Sequence, residues 1–579
     1  MFKLFRYLKN YKKESIIGPL FKLIEACFEL AVPIVMANII DIGIKNGDKA
    51  YIWKMGGVMV LLGVLGLCCS LTAQFFAAKA SLGFGTALRR DLFKHINTLS
   101  YAEIDKAGSH TLVTRMTADI NTAQSGVNIL LRLLLRSPFI VIGSIIMSFT
   151  ISVKLTLIFL VIAPCLAFVI YKIMSITIPR FKTIQKTLDR TNLMTSETLT
   201  GSRVIRAFSR QDDEEKNFRD NTDKLTALQI NAGRINALMN PMTYVIVNLA
   251  IAAIIWCGGK AVFGGSITQG EVIALINYMN QILLALLAMA ILVTNITKMQ
   301  ASACRINDVF DIRTSISDKG NTQVEMNESA PCVEFKNVDF SYQSSDENAL
   351  EGISFTAERG ETVGIIGGTG SGKTSVINLI PRFYDSTKGS VLVDGTDVRK
   401  YPLKQLRGKI GIVPQKAVLF KGTIRDNMKW RDKNASDEEI WRVLNIAQAA
   451  DFVKEKPSQL DEMILQDGKN LSGGQRQRLT IARALAGNPE ILIMDDSASA
   501  LDLATDAALR KAIAEKTQGM TVFIVSQRIS SIKNADKIVV MDDGKVAGIG
   551  THRELYKSCE VYKEICLSQL SEKEVQDIG

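Results

Sequence analysis

Six apolar stretches, all within the first 300 of the 579 residues, limit what this chain can fold into. Each is long enough to cross a bilayer core of roughly 30 Å as a helix. They lie near residues 16–40, 56–78, 130–150, 155–174, 242–263 and 272–296. The apolar fraction of the whole chain, 47%, is only mildly high because the apolar residues are concentrated in this half. The sequence therefore predicts an all-α membrane domain of six helices, followed by a soluble domain.

The connections between these spans predict how they cross the membrane. Short links near residues 45–49, 152–154 and 264–270 join spans one to two, three to four and five to six. Long, helix-prone segments separate spans two and three, and spans four and five. These segments are rich in basic residues: Arg89, Arg90, Lys94, Arg180, Lys182 and Lys186. Because basic residues concentrate on the cytosolic side of membrane proteins, the long segments are predicted to be cytosolic.

The amino-terminal segment supports the same orientation. Residues 1–13 carry five basic residues and no acidic one, immediately before the first span. A cleavable signal peptide fits poorly, because the apolar stretch is long, carries charges and lacks a clear small-residue cleavage site. The N-terminus is therefore predicted to be cytoplasmic, in a multi-pass protein of the cell membrane.

Several polar residues fall inside the spans. Lys22, Glu25 and Glu29 are spaced three and four apart, which places them on one face of a helix. Charge inside a membrane is costly and often functional, but a sealed or snorkelling Lys22–Glu25 pair explains the spacing equally well. Five amides either bond between helices or line a substrate path: Asn248, Asn277, Asn280, Gln281 and Asn295.

The cysteine and histidine pattern does not favour a metal site or a disulfide framework. The nine cysteines form no CxxC pair and lie mostly in apolar contexts, and the chain has only three histidines. We interpret the thiols as small apolar packing residues.

The pattern changes after residue 299. A polar run ends the last apolar helix, a stretch without periodicity follows, and short alternating strands begin near Val333. We therefore expect a membrane domain over residues 1–318, a linker over 319–332 and an α/β P-loop ATPase domain over 333–579.

A phosphate-binding loop carries the most specific signal. It consists of Gly367, Gly368, Thr369, Gly370, Ser371, Gly372, Lys373 and Thr374. This run fits G-x-x-x-x-G-K-[ST] and lies between a strand-like and a helix-like segment, where glycine amides and a helix N-terminus surround phosphates. Lys373 is predicted to hold the β- and γ-phosphates of ATP, and Thr374 to bind Mg²⁺.

A second glycine loop opens a helix about 100 residues later. Leu471 is followed by Ser472, Gly473, Gly474 and Gln475. This loop resembles the signature of ABC ATPases, and with the six spans the resemblance covers nearly the whole chain, as an exporter of the ABC transporter superfamily. In that family the signature loop closes over ATP held by the P-loop of a partner domain.

The resemblance implies roles for further residues. Tyr342 matches the aromatic residue that stacks on adenine, and Gln415 matches the glutamine that reaches Mg²⁺. Asp495, at the end of the apolar run 491–495, matches the aspartate of the Mg²⁺ shell. The run from Ser499 to Asp502 matches the loop through which two ATP sites communicate. The segments 114–121 and 200–208 resemble the family's coupling regions.

Two positions depart from the family pattern. Asp496 stands where the family has the glutamate that positions the attacking water, and its carboxylate is one methylene shorter. Gln527 stands where the family has a histidine that contacts the γ-phosphate. Gln466 likewise replaces a glutamate expected before the signature. A misplacement of about 1 Å can lower a rate on the order of 100-fold, so slow hydrolysis is expected at this chain's own P-loop.

The signature is intact although the chain's own site is degenerate, which predicts a heterodimer. We expect a half-transporter that resembles the degenerate-site subunit of bacterial heterodimeric multidrug exporters. Its partner would be a second ABC half-transporter with consensus catalytic residues. The expected cargo is hydrophobic or amphipathic, either drug-like compounds or lipids. A regulatory ATP-binding subunit and a peptide exporter remain alternatives. A nucleic-acid ATPase is disfavoured by the six spans, so no nucleic-acid partner is expected.

Overall fold

The computed structural model describes residues 2–316, 318, 327, 329–342, 347–497 and 500–569. They form two compact units. The first unit comprises Met1–Asn97 and His110–Asp311, and the second comprises Thr98–Ser109 and Ile312–Gly579. The domain limits expected from the sequence stay predictions, and most of the expected linker lies outside the described residues.

Six helices in the described part of the chain are long and apolar enough to cross a membrane. We number them membrane helices 1 to 6: Lys3–Ile44, Lys49–Ile96, Ser109–Ile151, Val153–Thr200, Gln211–Phe263 and Gln269–Asp311. All six predicted spans lie within them, and the predicted fold class is confirmed. The helices extend well beyond the apolar stretches because their charged ends continue with helix-forming residues. Helices 1 and 3 contain π-helical turns, at Ile39–Ile44 and Arg115–Asp119.

The membrane unit packs a narrow core and exposes most of its remaining apolar surface. Phe159, Ile254 and Tyr278 are fully buried between helices 4, 5 and 6. By contrast, Leu61 and Phe168 are 56% and 65% exposed. Such exposure is stable when lipid surrounds the helices, because their backbone polar groups are already satisfied within each helix.

Polar side chains fix particular helix positions. Asp41 caps membrane helix 6, because its carboxylate accepts hydrogen bonds from the Gly270 amide at 2.8 Å and the Thr268 hydroxyl at 2.5 Å. The predicted interhelical amides behave differently from one another. Gln281 donates to the Glu29 carbonyl of helix 1 at 3.1 Å. Asn277 and Asn295 instead donate to carbonyls of their own helix, at 3.0 and 2.8 Å.

The second unit contains strands that we number β1 to β12. They are Val333–Phe340, Leu350–Ala357, Thr362–Gly367, Lys388–Val393, Thr396–Asp397, Ile410–Val413, Gly422–Thr423, Met463–Ile464, Ile491–Asp495, Thr521–Val525, Lys537–Asp542 and Lys545–Gly550. An antiparallel sheet has the order β2-β1-β4-β5, and a second sheet has the order β12-β11-β3-β10-β9-β6. In the second sheet only the edge strand β12 is antiparallel. Strands β7 and β8 form a separate pair.

Helices pack around these sheets. Those of four or more residues are Tyr101–Ala107, Lys373–Leu379, Leu403–Lys409, Ile424–Met428, Asp437–Ile446, Ala450–Lys454, Gly473–Leu485, Leu503–Lys516, Ile529–Ile532, His552–Ser558 and Glu560–Gln569. The continuous apolar runs of β3, β9 and β10 are buried, as expected for parallel strands covered on both faces. Because these strands are parallel neighbours, their carboxyl ends meet at one edge of the sheet, and ligand sites in such sheets lie there.

Candidate active site

The predicted phosphate-binding loop connects the end of β3 to the helix Lys373–Leu379. Gly370 and Gly372 have φ angles of +86° and +91°, in the left-handed region that glycine adopts without strain. At Gly367 a Cβ atom would lie 2.1 Å from the Met541 carbonyl oxygen. The glycines therefore allow the tight turns of the loop, and they also leave its backbone amides accessible to a phosphate.

The Lys373 ammonium lies within the loop. It donates to the carbonyls of Gly367 and Gly368, at 2.9 and 2.5 Å, and to the Ser371 hydroxyl at 3.3 Å. Burial lowers the pKa of Lys373, and the nearby carboxylates of Asp496 and Asp495 oppose that shift. A phosphate bound in the loop would add the charge compensation that the carbonyls supply only in part.

The end of β9 brings Asp495 against the start of this helix. The Thr374 hydroxyl donates to both carboxylate oxygens of Asp495 at 3.2 Å. Burial raises the pKa of Asp495, since only 7% of the residue is exposed. Hydroxyl, carboxylate and amide oxygens are the ligands that Mg²⁺ prefers, so Thr374, Asp495 and Gln415 fit the predicted metal.

The two departures from the family pattern lie at the same edge. Asp496 follows β9 with a φ of +43°, and its amide donates to the Val525 carbonyl at the end of β10 at 2.9 Å. The Gln415 amide donates to the Asp496 carboxylate at 3.5 Å. Gln527 follows β10, and its carbonyl accepts from the Gln569 side chain at 2.8 Å. The sheet therefore positions both residues beside the phosphate-binding loop.

These elements enclose a cleft of about 350 Å³. Ten of its lining residues were predicted from the sequence: Tyr342, Thr369, Gly370, Gly372, Lys373, Thr374, Gln415, Asp495, Asp496 and Gln527. The predicted loop residues Gly367, Gly368 and Ser371 do not line it. Four lining residues were missed: Ala349, Ser375, Val525 and Ser526. Ser375 could have been anticipated, because it immediately follows the motif in the first turn of the helix.

Tyr342 lies at the other end of the cleft. Its hydroxyl lies 2.9 Å from the Ser375 hydroxyl, and its ring packs edge-on against Phe340 and Tyr384 at centroid distances of 4.7 and 5.4 Å. The ring is thus held by three neighbours and is only partly buried. It can therefore stack on an adenine base.

The predicted signature residues do not line this cleft. Ser472 caps the helix Gly473–Leu485: its hydroxyl accepts from the Gln475 amide at 3.2 Å, while the Gln475 side chain accepts from the Ser472 amide at 3.0 Å. Ser472 and Gly473 are exposed, and a Cβ at Gly473 would meet no atom within 4 Å. The loop therefore presents a capped, open helix start on the surface of the unit.

The remaining predicted motif is only partly described. Ser499 lies outside the described residues, whereas Asp502 caps the helix Leu503–Lys516 by accepting from the Thr505 amide at 2.9 Å. Hydrogen bonds to Thr505 lower the pKa of Asp502. Helix capping alone accounts for an aspartate at this position.

One short helix within the helix-prone connection between spans two and three has a position that the sequence did not predict. Tyr101–Ala107 belongs to the second unit, although it lies between membrane helices 2 and 3 along the chain. Tyr101 packs on Phe383 at 4.5 Å, and the Tyr384 hydroxyl donates to Asp105 at 2.8 Å. The predicted coupling segment 114–121 lies instead in the first unit. In the other predicted segment, Phe208 is 75% exposed.

Comparison with known proteins relates this site to a family. The family model described as the ABC transporter transmembrane region matches residues 15–286, and the model described as ABC transporter matches residues 350–499. An uncharacterized ABC transporter ATP-binding protein of Mycobacterium tuberculosis is 36% identical over 579 residues, covering 99% of both chains. The chain belongs to the ABC transporter family.

Two further ABC proteins show how far the similarity extends. An ATP-dependent lipid A-core flippase of Desulfotalea psychrophila is 36% identical over 81% of this chain and 82% of the flippase. A solved structure of a bacterial Atm1-family ABC exporter with ATP bound has a TM-score of 0.80 over 97% of this chain and 99% of the exporter. At 23% identity, that likeness shows the exporter fold.

As an ABC transporter, the chain is a multi-pass membrane protein and an exporter half-transporter that couples ATP hydrolysis to transport. It carries a membrane region and an ATP-binding region in one polypeptide. The predicted exporter type, ATPase activity and ATP cofactor are confirmed at this level.

Proposed function

We propose that this chain is the degenerate-site subunit of a heterodimeric exporter. The observation that carries the proposal is the pair Asp496 and Gln527, which line one cleft together with Lys373 and Thr374. A shortened carboxylate and an uncharged amide thus replace the water-positioning and γ-phosphate-contacting groups expected there. ATP and Mg²⁺ bind at this cleft, with Thr374, Gln415 and Asp495 as the metal ligands, and hydrolysis there is slow.

The signature loop supports the second half of the proposal. Ser472 and Gly473 are exposed and lie outside the chain's own cleft, so the capped helix start is free to close over nucleotide held by another chain. With its intact signature, this chain completes the fast site of a partner that has consensus catalytic residues.

The cargo that we propose is hydrophobic or amphipathic, either a drug-like compound or a lipid. The flippase similarity supports this class, because the relative's name specifies a lipid conjugate. The exposed apolar faces of the membrane helices supply matching surface. We further propose that the N-terminus and the long connections are cytoplasmic, since these segments carry the basic residues. The ATPase unit is then cytoplasmic as well, because six spans return the chain to the side on which it began.

Restoring the family residues tests the proposal. In the purified complex of this chain with its co-purifying partner, Asp496→Glu combined with Gln527→His should raise ATP turnover at this chain's site by roughly tenfold or more, since a restored geometry recovers a comparable loss. The measurement is single-turnover hydrolysis with the partner's catalytic glutamate changed to glutamine. Gln518→Glu, at an exposed residue that does not line the cleft, serves as the substitution control. An unchanged rate in the double variant would refute the degenerate-site assignment.

A further inference from the structure

Charged side chains from membrane helices 1 and 3 meet inside the membrane unit. Arg136 and Glu29 form an ion pair at 2.8 Å, and Lys22 and Glu25 form another at 2.6 Å. Arg132 precedes Arg136 by four residues and so lies on the same face of helix 3. Charges placed within apolar helices are costly, and they commonly mark sites of function.

The Arg136–Glu29 pair lies at a matched depth in the two helices. Glu29 and Arg136 each precede the end of their helix, Ile44 and Ile151, by fifteen residues. At a helical rise of 1.5 Å per residue this corresponds to about 22 Å. Since the hydrocarbon core is roughly 30 Å thick, the pair lies within it or at its edge, on the side of the long connections.

The charges in this cluster do not balance. Lys22 is neutralised by Glu25 and also donates to the Ser70 hydroxyl at 3.0 Å. Arg136 is neutralised by Glu29. Arg132 makes no hydrogen bond or ion pair with any residue that the structure describes, and its Nε atom is buried. Of the three cations Lys22, Arg132 and Arg136, Lys22 and Arg136 are each paired with a carboxylate, and Arg132 has no such pair among the described residues.

The two ion pairs differ in how far their side chains are exposed. The Lys22 and Glu25 side chains are only 7% and 16% exposed, so that pair is sealed. The Arg136 and Glu29 side chains are 25% and 38% exposed. The Arg136 Nε atom is buried and has no partner among the described residues. The open end of the cluster thus presents guanidinium groups whose hydrogen-bonding capacity is only partly used.

Apolar surface adjoins the open end. Leu135 follows Arg132 by three residues, which places it on the same side of the helix, and it is 48% exposed. A guanidinium fork matches two oxygens of a phosphate or carboxylate, and a neighbouring leucine matches an alkyl chain. The cluster therefore combines the two properties that recognise an acidic amphiphile.

We propose that Arg132 and Arg136 bind the acidic headgroup of an amphiphilic cargo, a phosphate or a carboxylate, and that Glu29 is the internal counter-ion which the headgroup displaces from Arg136. The inference rests on the proposed export of amphipathic molecules and narrows their class. Glu29 opposes anion binding by holding Arg136, whereas Arg132 favours it, so the two residues have opposite effects on affinity.

Binding of radiolabelled decyl phosphate tests this assignment. The full chain with its co-purifying partner is placed in phosphatidylcholine nanodiscs without nucleotide, and the dissociation constant is measured by equilibrium dialysis. Arg132→Gln should weaken binding roughly tenfold or more, the loss typical of a hydrogen bond to a charged group. Glu29→Gln should tighten binding severalfold because it frees Arg136. Arg219→Gln, which removes an exposed arginine paired with Glu215, should bind as the unmodified chain does.

Competition separates the possible ligands. Unlabelled decyl phosphate should displace the probe, while inorganic phosphate and decyl maltoside should displace it at least tenfold less effectively. Equal displacement by decyl maltoside would overturn the headgroup assignment, and equal displacement by inorganic phosphate would overturn the amphiphile assignment. A weakening no greater than that of Arg219→Gln would remove Arg132 from the site. Because Glu29→Gln is expected to gain affinity, misfolding cannot imitate the predicted result.

The assay is independent of the ATP sites. It contains no nucleotide, so its failure leaves the degenerate-site proposal intact. Failure of the Asp496→Glu and Gln527→His experiment would likewise leave the binding measurement interpretable.

Discussion

Asp495 is buried at the carboxyl end of β9, where its charge is opposed by desolvation. The pKa of this carboxyl is raised in the folded chain, so the folded state binds its proton more tightly than the unfolded state does. The resulting penalty is fully present above the folded pKa and is lost as pH falls below the unfolded pKa. A bound Mg²⁺ ion would offset that penalty.

Asp495→Asn should therefore stabilise the nucleotide-free protein at neutral pH while abolishing its stabilisation by Mg²⁺-ATP. The unfolding temperature should rise by about 2–4 °C for each kcal/mol recovered, and the gain should shrink as the pH is lowered. Thermal unfolding of the full chain between pH 4 and pH 8, with and without Mg²⁺-ATP, measures both effects. A lower unfolding temperature at neutral pH would contradict the desolvation argument.

Gly372 requires the glycine backbone for two reasons. Its φ is +91°, and a Cβ atom would lie 2.6 Å from a Leu350 methyl group and 2.9 Å from the Ala349 carbonyl oxygen. Gly372→Ala should lower the free energy of unfolding by about 1–3 kcal/mol and eliminate ATP binding. Gly368→Ala is the matched control for stability, because a Cβ there would meet no atom within 4 Å. Denaturant unfolding without nucleotide should separate the two variants, and equal losses would refute the steric argument.

At the scale of elements, the short helix Tyr101–Ala107 joins the ATPase unit through two aromatic side chains. Tyr101 packs on Phe383, and Asp105 accepts from Tyr384. Glu103 accepts from the Ser315 amide at 3.1 Å, which ties the same helix to the chain that follows membrane helix 6. This small helix is therefore held at several points to the unit that binds ATP.

Tyr101→Ala should loosen this attachment without touching the nucleotide cleft. We expect ATP binding to persist and cargo-stimulated ATP hydrolysis to fall at least several-fold, because an aromatic pair contributes about 0.5–1.5 kcal/mol beyond its burial. Tyr384→Phe removes only the hydrogen bond to Asp105 and should have a smaller effect. ATPase measurements with and without a stimulating amphiphile compare the two variants. Full stimulation in Tyr101→Ala would show that cargo-stimulated hydrolysis does not depend on this attachment.

How much of each element could be predicted depended on the length and specificity of its signal. The membrane helices were predictable because each contains about 20 apolar residues, and the phosphate-binding loop because glycine, lysine and threonine recur at fixed positions. The helix Tyr101–Ala107 is only seven residues long, too short for its periodicity to show. Its contact partner Tyr384 lies 279 positions from Asp105 along the chain, and no local pattern reveals such a contact.

The charged cluster was visible in the sequence only in part. Lys22, Glu25 and Glu29 stood out by their helical spacing, whereas Arg132 and Arg136 lie within the predicted third span and were not singled out. The ion pair between Glu29 and Arg136 joins residues 107 positions apart. Local periodicity places side chains on a face, whereas the packing of one helix against another decides which faces meet.

At the scale of the whole molecule, we propose that this chain keeps a slow ATP site and lends its signature loop to the fast site of a partner. Ser472→Arg should then block hydrolysis at the partner's site. The substitution replaces the small hydroxyl that caps the start of the helix with a bulky cation. Nucleotide binding to this chain's own cleft should persist. Binding of a fluorescent ATP analogue and steady-state hydrolysis by the complex distinguish the two effects. Undiminished hydrolysis would show that the loop does not complete the active site.

The most direct test identifies which polypeptide holds the nucleotide trapped during turnover. The purified complex is incubated with photoreactive azido-ATP, Mg²⁺ and vanadate, then illuminated, and the label on each chain is quantified. We expect the vanadate-dependent label to lie on the partner, and we expect Asp496→Glu with Gln527→His to shift part of it to this chain. Vanadate-dependent label on this unmodified chain, in a homodimer whose hydrolysis requires Asp496, would contradict the account.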